Sequence, residues 1–147
     1  MTVTVHHVAV TAADLTTSGT FYDAVLGALG YHRDNTYDSL IVYATADGGP
    51  ELLVYRVEGD DTSRHQHGTP GLQHIALQVD NRDVVDAAHH AAATAGGTII
   101  HAAQPFHYSA GYYATFVEDP DGTRLEIAHI PVPVPADEPD TDTQSAS

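Results

Sequence analysis

The chain repeats itself, and that repeat constrains its fold more than any other feature. A strand bearing a histidine, then a helix, then three further strands are predicted over residues 1–57 and again, in the same order, over residues 71–130. His7-Val8-Ala9-Val10 matches His74-Ile75-Ala76-Leu77. Glu51-Leu52-Leu53 matches Glu126-Ile127-Ala128. The expectation is an α+β chain of two tandem βαβββ modules. Residues 58–70 would link them, and residues 131–147 would follow as an acidic, proline-rich tail without fixed structure.

Local signals support each element. Val3 to Val10 is β-branched and apolar and reads as a strand. Asp14 offers an N-cap, and Leu15, Tyr22, Val25, Leu26 and Leu29 recur at helical spacing. Extended segments follow near Tyr31–Asn35, Leu40–Thr45 and Glu51–Val57, the last two parted by the turn Asp47-Gly48-Gly49-Pro50. In the second half, Gln73–Val79 reads as a strand, and Asn81 or Asp83 caps a helix ended by Gly96-Gly97. Strands are expected near Thr98–Ala102, Tyr112–Glu118 and Arg124–Ile130, with Asp119-Pro120-Asp121-Gly122 turning the final pair.

Composition narrows the functions. The 147 residues hold 20 acids against five bases, all arginine, for a formal charge of −15. Such a surface repels phosphate backbones and anionic membranes, so neither nucleic acid nor membrane is an expected partner. No apolar run approaches the ~20 residues of a membrane span, and no secretory signal is visible, so a cytoplasmic location is the default expectation. With no cysteine, any metal must be held by histidine and carboxylate.

The repeat carries candidates for such a site. Strand alternation puts Val8, Val10, Ile75 and Leu77 under the helices, and therefore His7 and His74 on the opposite face. Glu51, Leu53 and Tyr55 share one face, as do Glu126 and Ala128. A glutamate in an apolar strand is costly to bury alone. Two of them, each matched to a strand histidine in a repeat, suggest a shared counter-charge. His7, Glu51, His74 and Glu126 are thus the expected ligands of one divalent ion: Zn, Ni, Co, Mn or Fe, with positions left for water or substrate. Taken singly, each of these residues reads as an ordinary surface side chain. The other histidines read as solvated: His65 and His67 in the linker, His89 and His90 on a helix, and His6 pointing away from His7.

These motifs resemble the vicinal oxygen chelate superfamily, which includes glyoxalase I, bleomycin-resistance proteins, fosfomycin-resistance enzymes, methylmalonyl-CoA epimerase and extradiol dioxygenases. The resemblance runs from about Val3 to Ile130. It rests on His7-Val-Ala-Val, Asp14-Leu-x-x-Ser18, Phe21-Tyr22, Leu26-Gly27, Glu51-Leu, Gly71-Leu-Gln-His74-Ile-Ala-Leu, Phe116-Val-Glu-Asp-Pro-Asp-Gly122 and Leu125-Glu126. It implies cupped mixed sheets facing each other around a central cavity, closed within one chain or across a dimer. It matches His7, Glu51, His74 and Glu126 to the glyoxalase I ligands, and His7, His74 and Glu126 to those of extradiol iron enzymes. The glutathione-gripping arginines of glyoxalase I have no clear counterpart. Phe106, His107, Tyr108, Tyr112 and Tyr113 are candidates for an aromatic substrate wall, with Tyr55 on the other module, or for plain sheet packing.

The leading expectation is a metal-dependent lyase or isomerase acting on a small molecule with adjacent oxygens, with Glu126 or Glu51 moving a proton. A protein that sequesters a flat small molecule and an Fe(II) dioxygenase are the alternatives. A homodimer is expected, because such modules often complete their cavities by pairing and a two-fold dimer is the commonest closed assembly.

Overall fold

The computed structural model describes residues 1–133. The tail expected from residue 131 therefore lies almost wholly outside the described residues. Ten elements follow in order: β1 (His7–Ala12), α1 (Leu15–Ala28), β2 (Tyr31–Thr36), β3 (Leu40–Thr45), β4 (Glu51–Arg56), β5 (Ile75–Gln78), α2 (Arg82–Thr94), β6 (Thr98–Pro105), β7 (Tyr113–Glu118) and β8 (Arg124–His129). The two sheets have the orders β1-β4-β3-β2 and β5-β8-β7-β6, so the βαβββ repeat is real. β1 lies parallel to β4 and β5 parallel to β8, while the remaining pairs are antiparallel.

Both helices start where side-chain oxygens take up free backbone donors. Asp14 accepts from the Thr17 amide at 2.9 Å, and Asn81 accepts from the Val84 amide at 3.1 Å. β1 begins at His7 and not at Val3, so strand alternation does not extend to His6. The His6 ring instead lies against His7, with the two Nδ1 atoms 2.8 Å apart.

The helices lie between the sheets. α1 packs on β2, β3 and β4, α2 packs on β6, β7 and β8, and the two helices pack on each other. One continuous core results, joining Phe21, Tyr22, Val25 and Leu26 of α1 to Val85, Ala88 and Ala92 of α2. Val10, Ile41, Leu52, Val54, Val117, Leu125 and Ile127 close it from the sheets. The fit is tight at Gly97, where a Cβ would stand 2.6 Å from the Phe21 ring.

A polar clamp ties the modules together. Asp119, 1% exposed, accepts from the Tyr22 hydroxyl at 2.6 Å and from the amides of Asp121 and Thr123. Burial pushes the Asp119 carboxyl above the ordinary aspartate value, although these hydrogen bonds pull the other way. Asp121 reaches back to the Ala13 amide and the Ser18 hydroxyl, both at 3.2 Å.

This layering decides where the site lies. Val8, Val10 and Ala12 turn inward, while His7, Ala9 and Thr11 turn outward. The outward faces of the two sheets look away from each other, so His7 and Glu51 lie on a different face of the chain from His74 and Glu126.

The linker is not a loose tether. Arg64 donates to Glu118 Oε1 at 3.0 Å and to the Pro120 carbonyl at 2.9 Å. The His65 amide donates to the Asp121 carbonyl at 2.8 Å. Gly122 permits this approach. Its φ is +87°, and a Cβ there would stand 2.5 Å from the His65 carbonyl oxygen.

Candidate metal and ligand site

The outward face of the second sheet holds a cavity of about 400 Å³ lined by His67, Gln73, His74, His101, Tyr108, Tyr112, Phe116, Arg124 and Glu126. β8 sets Glu126 between Leu125 and Ile127, both fully buried against the helices, so alternation turns its carboxylate outward. It is nonetheless only 4% exposed, because aromatic side chains roof it.

Each polar atom around Glu126 has a defined role. The Tyr112 hydroxyl donates to Oε1 at 2.5 Å. Burial, that hydrogen bond and the carboxylate charge push the Tyr112 hydroxyl well above its ordinary value, so it stays a proton donor. Oε2 faces His74 Nε2 at 3.4 Å. The other ring nitrogen of His74, Nδ1, donates to the Gln73 side-chain oxygen. That bond places a proton on Nδ1, and Nε2 is the ring nitrogen that faces the carboxylate oxygen.

A proton on Nε2 makes the two an ion pair, and a cation between them is held by both. Two bonds of about 2.1 Å meeting at a tetrahedral angle put their donor atoms about 3.4 Å apart. An imidazole nitrogen and a carboxylate oxygen also suit a divalent transition ion. His74 and Glu126 therefore fit as two ligands of one metal.

The other two expected ligands lie elsewhere. His7 and Glu51 are ladder partners on the outward face of the first sheet. Among the described residues no group of three or more histidines and carboxylates stands close enough to hold an ion. The presumed equivalence of Glu51 and Glu126 also needs correction. In the first sheet Ala9 pairs with Leu53, whereas in the second Ala76 pairs with Glu126. Leu53 therefore occupies the rung equivalent to Glu126. Glu51 corresponds to Arg124, and the matching tripeptides misled by one step of the pleat.

The expected aromatic wall is partly present. Tyr108, Tyr112 and Phe116 line the cavity, and Phe106 stands behind them, stacked on Tyr108 at 5.4 Å and edge-on to Phe116 at 5.4 Å. Tyr113 does not belong to it. Its hydroxyl donates to Asp86 on α2 at 2.6 Å, and Arg82 lies over its ring, so it faces the helix layer. His107 is exposed and does not line the cavity. Tyr55, 41% exposed, lies on the first sheet's outward face. Sequence reasoning missed His101, Gln73 and Arg124 and read His67 as solvated. Arg124 and Phe116 carried a usable signal, since alternation along β8 and the register of the hairpin put both on the Glu126 side.

Comparisons with known proteins agree with this architecture. The model of the Glyoxalase/Bleomycin resistance protein/Dioxygenase superfamily matches residues 4–127. A curated relative, uncharacterized protein YqjT of Bacillus subtilis (strain 168), is 27% identical over 123 residues, 83% of this chain and 95% of that protein. The crystal structure of a glyoxalase/bleomycin resistance protein from Albidiferax ferrireducens T118 superposes with a TM-score of 0.68 at 27% identity, covering 85% of this chain and 97% of its own. A glyoxylase/bleomycin resistance protein/dioxygenase domain from Frankia sp. EAN1pec shares the fold, with a TM-score of 0.71 at 21% identity over 88% of this chain and 98% of its own. No described helix is long and apolar enough to cross a membrane. With the family's sequence pattern spanning both modules and their fold reproduced in solved relatives, the chain belongs to the glyoxalase/bleomycin resistance protein/dioxygenase superfamily.

Proposed function

We propose that the protein is a metal-dependent lyase or isomerase for small molecules with adjacent oxygens, working as a homodimer. Its site would join His74 and Glu126 of one chain to His7 of the other. The observation that carries this reading is the His74–Glu126 pair: a ring nitrogen and a carboxylate oxygen 3.4 Å apart, with Gln73 and Tyr112 holding their remaining atoms. The dimer reading is supported by the outward face of the first sheet. There His7 stands beside Ala9, Leu53 and Val42, with no helix to cover them. A two-fold axis that sets this face against the partner's second sheet would form two equal cavities.

A divalent ion in this site supplies Lewis acidity toward a carbonyl oxygen. The chain's own groups do the rest. Glu126 takes a proton from the carbon beside the carbonyl and returns it to the neighbouring position. Tyr112 keeps that carboxylate oriented, and Tyr108 and Phe116 exclude water from it. Glu126 is the better base, because Glu51 lies one step off the equivalent rung.

That same register favours a second reading. Without Glu51 the donors reduce to two imidazoles and one carboxylate, the set used by non-haem Fe(II) oxygenases. Metal analysis of the purified protein separates the two: zinc, nickel, cobalt or manganese supports the lyase or isomerase, and iron with oxygen consumption supports the oxygenase. Protein that retains no divalent ion when purified and takes up none on titration would overturn both.

A further inference from the structure

His6 and His7 are neighbours in the chain, yet their rings meet. The two Nδ1 atoms stand 2.8 Å apart, with the rings edge-on at 5.1 Å between centroids. Successive residues of a strand point to opposite faces, so two neighbours inside a strand cannot make this contact. It forms here because β1 begins at His7 and His6 lies outside it. The His6 backbone is nonetheless held in place, since its carbonyl accepts from the Glu51 amide at 3.0 Å.

The second module makes the same contact with a different residue. His74 stands where His7 stands in the repeat, and Gln73 stands where His6 does. β5 begins at Ile75, so Gln73 also lies outside its strand. Its side-chain oxygen accepts from Nδ1 of His74. In both modules, therefore, the residue before the strand histidine engages Nδ1, and Nε2 is the nitrogen left for another group. In His74 that nitrogen faces Glu126.

We propose that His6 is a positioning residue for His7: its Nδ1 accepts the Nδ1 proton of His7 and so holds that ring with Nε2 free to bind an ion, as Gln73 does for His74. This rests on the shared metal site given above. The direction of the bond follows from the ring chemistry. A neutral imidazole has one donor nitrogen and one acceptor nitrogen, so one proton lies between the two Nδ1 atoms. If His7 supplies it, the lone pair of His7 is on Nε2. If His6 supplied it, His7 would carry its own proton on Nε2 and could take no ion there. Metal-ligating histidines almost always donate their other ring N–H to a nearby acceptor, so an ion on Nε2 selects the first arrangement. His6 then keeps its own proton on Nε2 and acts through His7. Both rings are exposed in the single chain. The partner's second sheet, set over this face, would shield the bond from water.

Zinc affinity, measured by competition with a chromogenic chelator, gives the test. His6→Leu is expected to weaken zinc binding by about 10–100-fold, the range typical of outer partners of metal ligands. His6→Gln repeats the arrangement of the second module and is expected to recover most of that loss. His7→Ala removes the ring through which His6 acts, so adding His6→Leu to it should change the remaining affinity by less than about 2-fold. Long-range ¹H–¹⁵N spectra of the zinc-loaded wild type need no variant to fold. They should show the His7 proton on Nδ1 and the His6 proton on Nε2. Zinc binding by His6→Leu within about 2-fold of wild type would overturn the role of His6 alone. So would equal losses in His6→Leu and His6→Gln, an undiminished His6→Leu effect beside His7→Ala, or the reverse tautomers. A wild type that binds no zinc would overturn the metal reading, and a His7→Ala protein that binds zinc like the wild type would overturn the shared site, each taking this role with it.

Discussion

Leu53 and Glu126 stand on equivalent rungs of the two sheets, Leu53 opposite Ala9 and Glu126 opposite Ala76. Glu51 lies two residues away, about 6.6 Å along its strand. The two glutamates should therefore differ in weight. Glu126→Gln is expected to lower turnover by about 10²–10⁴-fold while leaving the fold intact, because an amide cannot accept a proton from carbon. Glu51→Gln should cost far less in both metal affinity and rate. Titrating zinc into the two variants, followed by rate measurements on any substrate found, checks this. Equal losses would restore Glu51 as a full ligand.

Tyr112 holds one oxygen of Glu126 and leaves the other toward His74. Tyr112→Phe removes that hydrogen bond with almost no change of shape. Outer partners of metal ligands typically contribute about 10–100-fold to metal affinity or activity. A loss in that range is expected, with thermal stability nearly unchanged. Should zinc affinity and rate both match the wild type, Tyr112 is only part of the aromatic wall.

Much of the fold was legible in the sequence because its signals are local. Asp14 and Asn81 cap their helices as read, and Asp119-Pro-Asp-Gly122 fixed where the last strand begins, which placed Glu126 correctly. What stayed hidden depends on distant partners. The register that sets Leu53 level with Glu126 comes from pairing with β1, and a matching tripeptide does not encode it. Tyr113 and Tyr112 are neighbours that face opposite layers, and only the start of β7 tells them apart. His67 enters the cavity because Arg64 grips a glutamate 54 residues away.

Gly122 is where the linker meets the last hairpin turn. Gly122→Ala would force a side chain into positive φ and into the His65 carbonyl. Strain of this kind costs on the order of 1–3 kcal/mol. Urea unfolding should show a loss of this size, whereas Gly59→Ala, with open space around it, should stay near wild type. Equal stabilities would mean that the linker does not pack on the turn.

Acid should release the ion pairs of Glu118 with Arg64 and Arg124, which hold the linker on the same hairpin. Burial pushes the Glu118 carboxyl up, but hydrogen bonds and charge from Arg124 and Arg64 outweigh it and hold the group below its ordinary value of 4.5. Because the folded-state value is depressed, the stabilisation is complete above the ordinary value and is lost as pH falls through the folded one. The wild type should therefore exceed Glu118→Gln in stability at pH 7, and the gap should close in acid below about pH 4.5. Urea melts of both proteins from pH 7 to pH 3 measure it. A gap that does not change with pH would contradict the ionic account of the Glu118 contacts.

The central claim is that each site is shared, with His7 from one chain and His74 and Glu126 from the other. Complementation tests it most directly. His7→Ala and His74→Ala are each expected to lose tight zinc binding as homodimers. After joint unfolding and refolding, about half the dimers are mixed, and each mixed dimer carries one site with both histidines intact, so about one site in four should regain zinc. Recovery near that fraction, measured by zinc titration of the refolded mixture, is the predicted result. A mixture that binds no more zinc than the separate variants, or a His7→Ala protein that binds zinc like the wild type, would contradict the shared site.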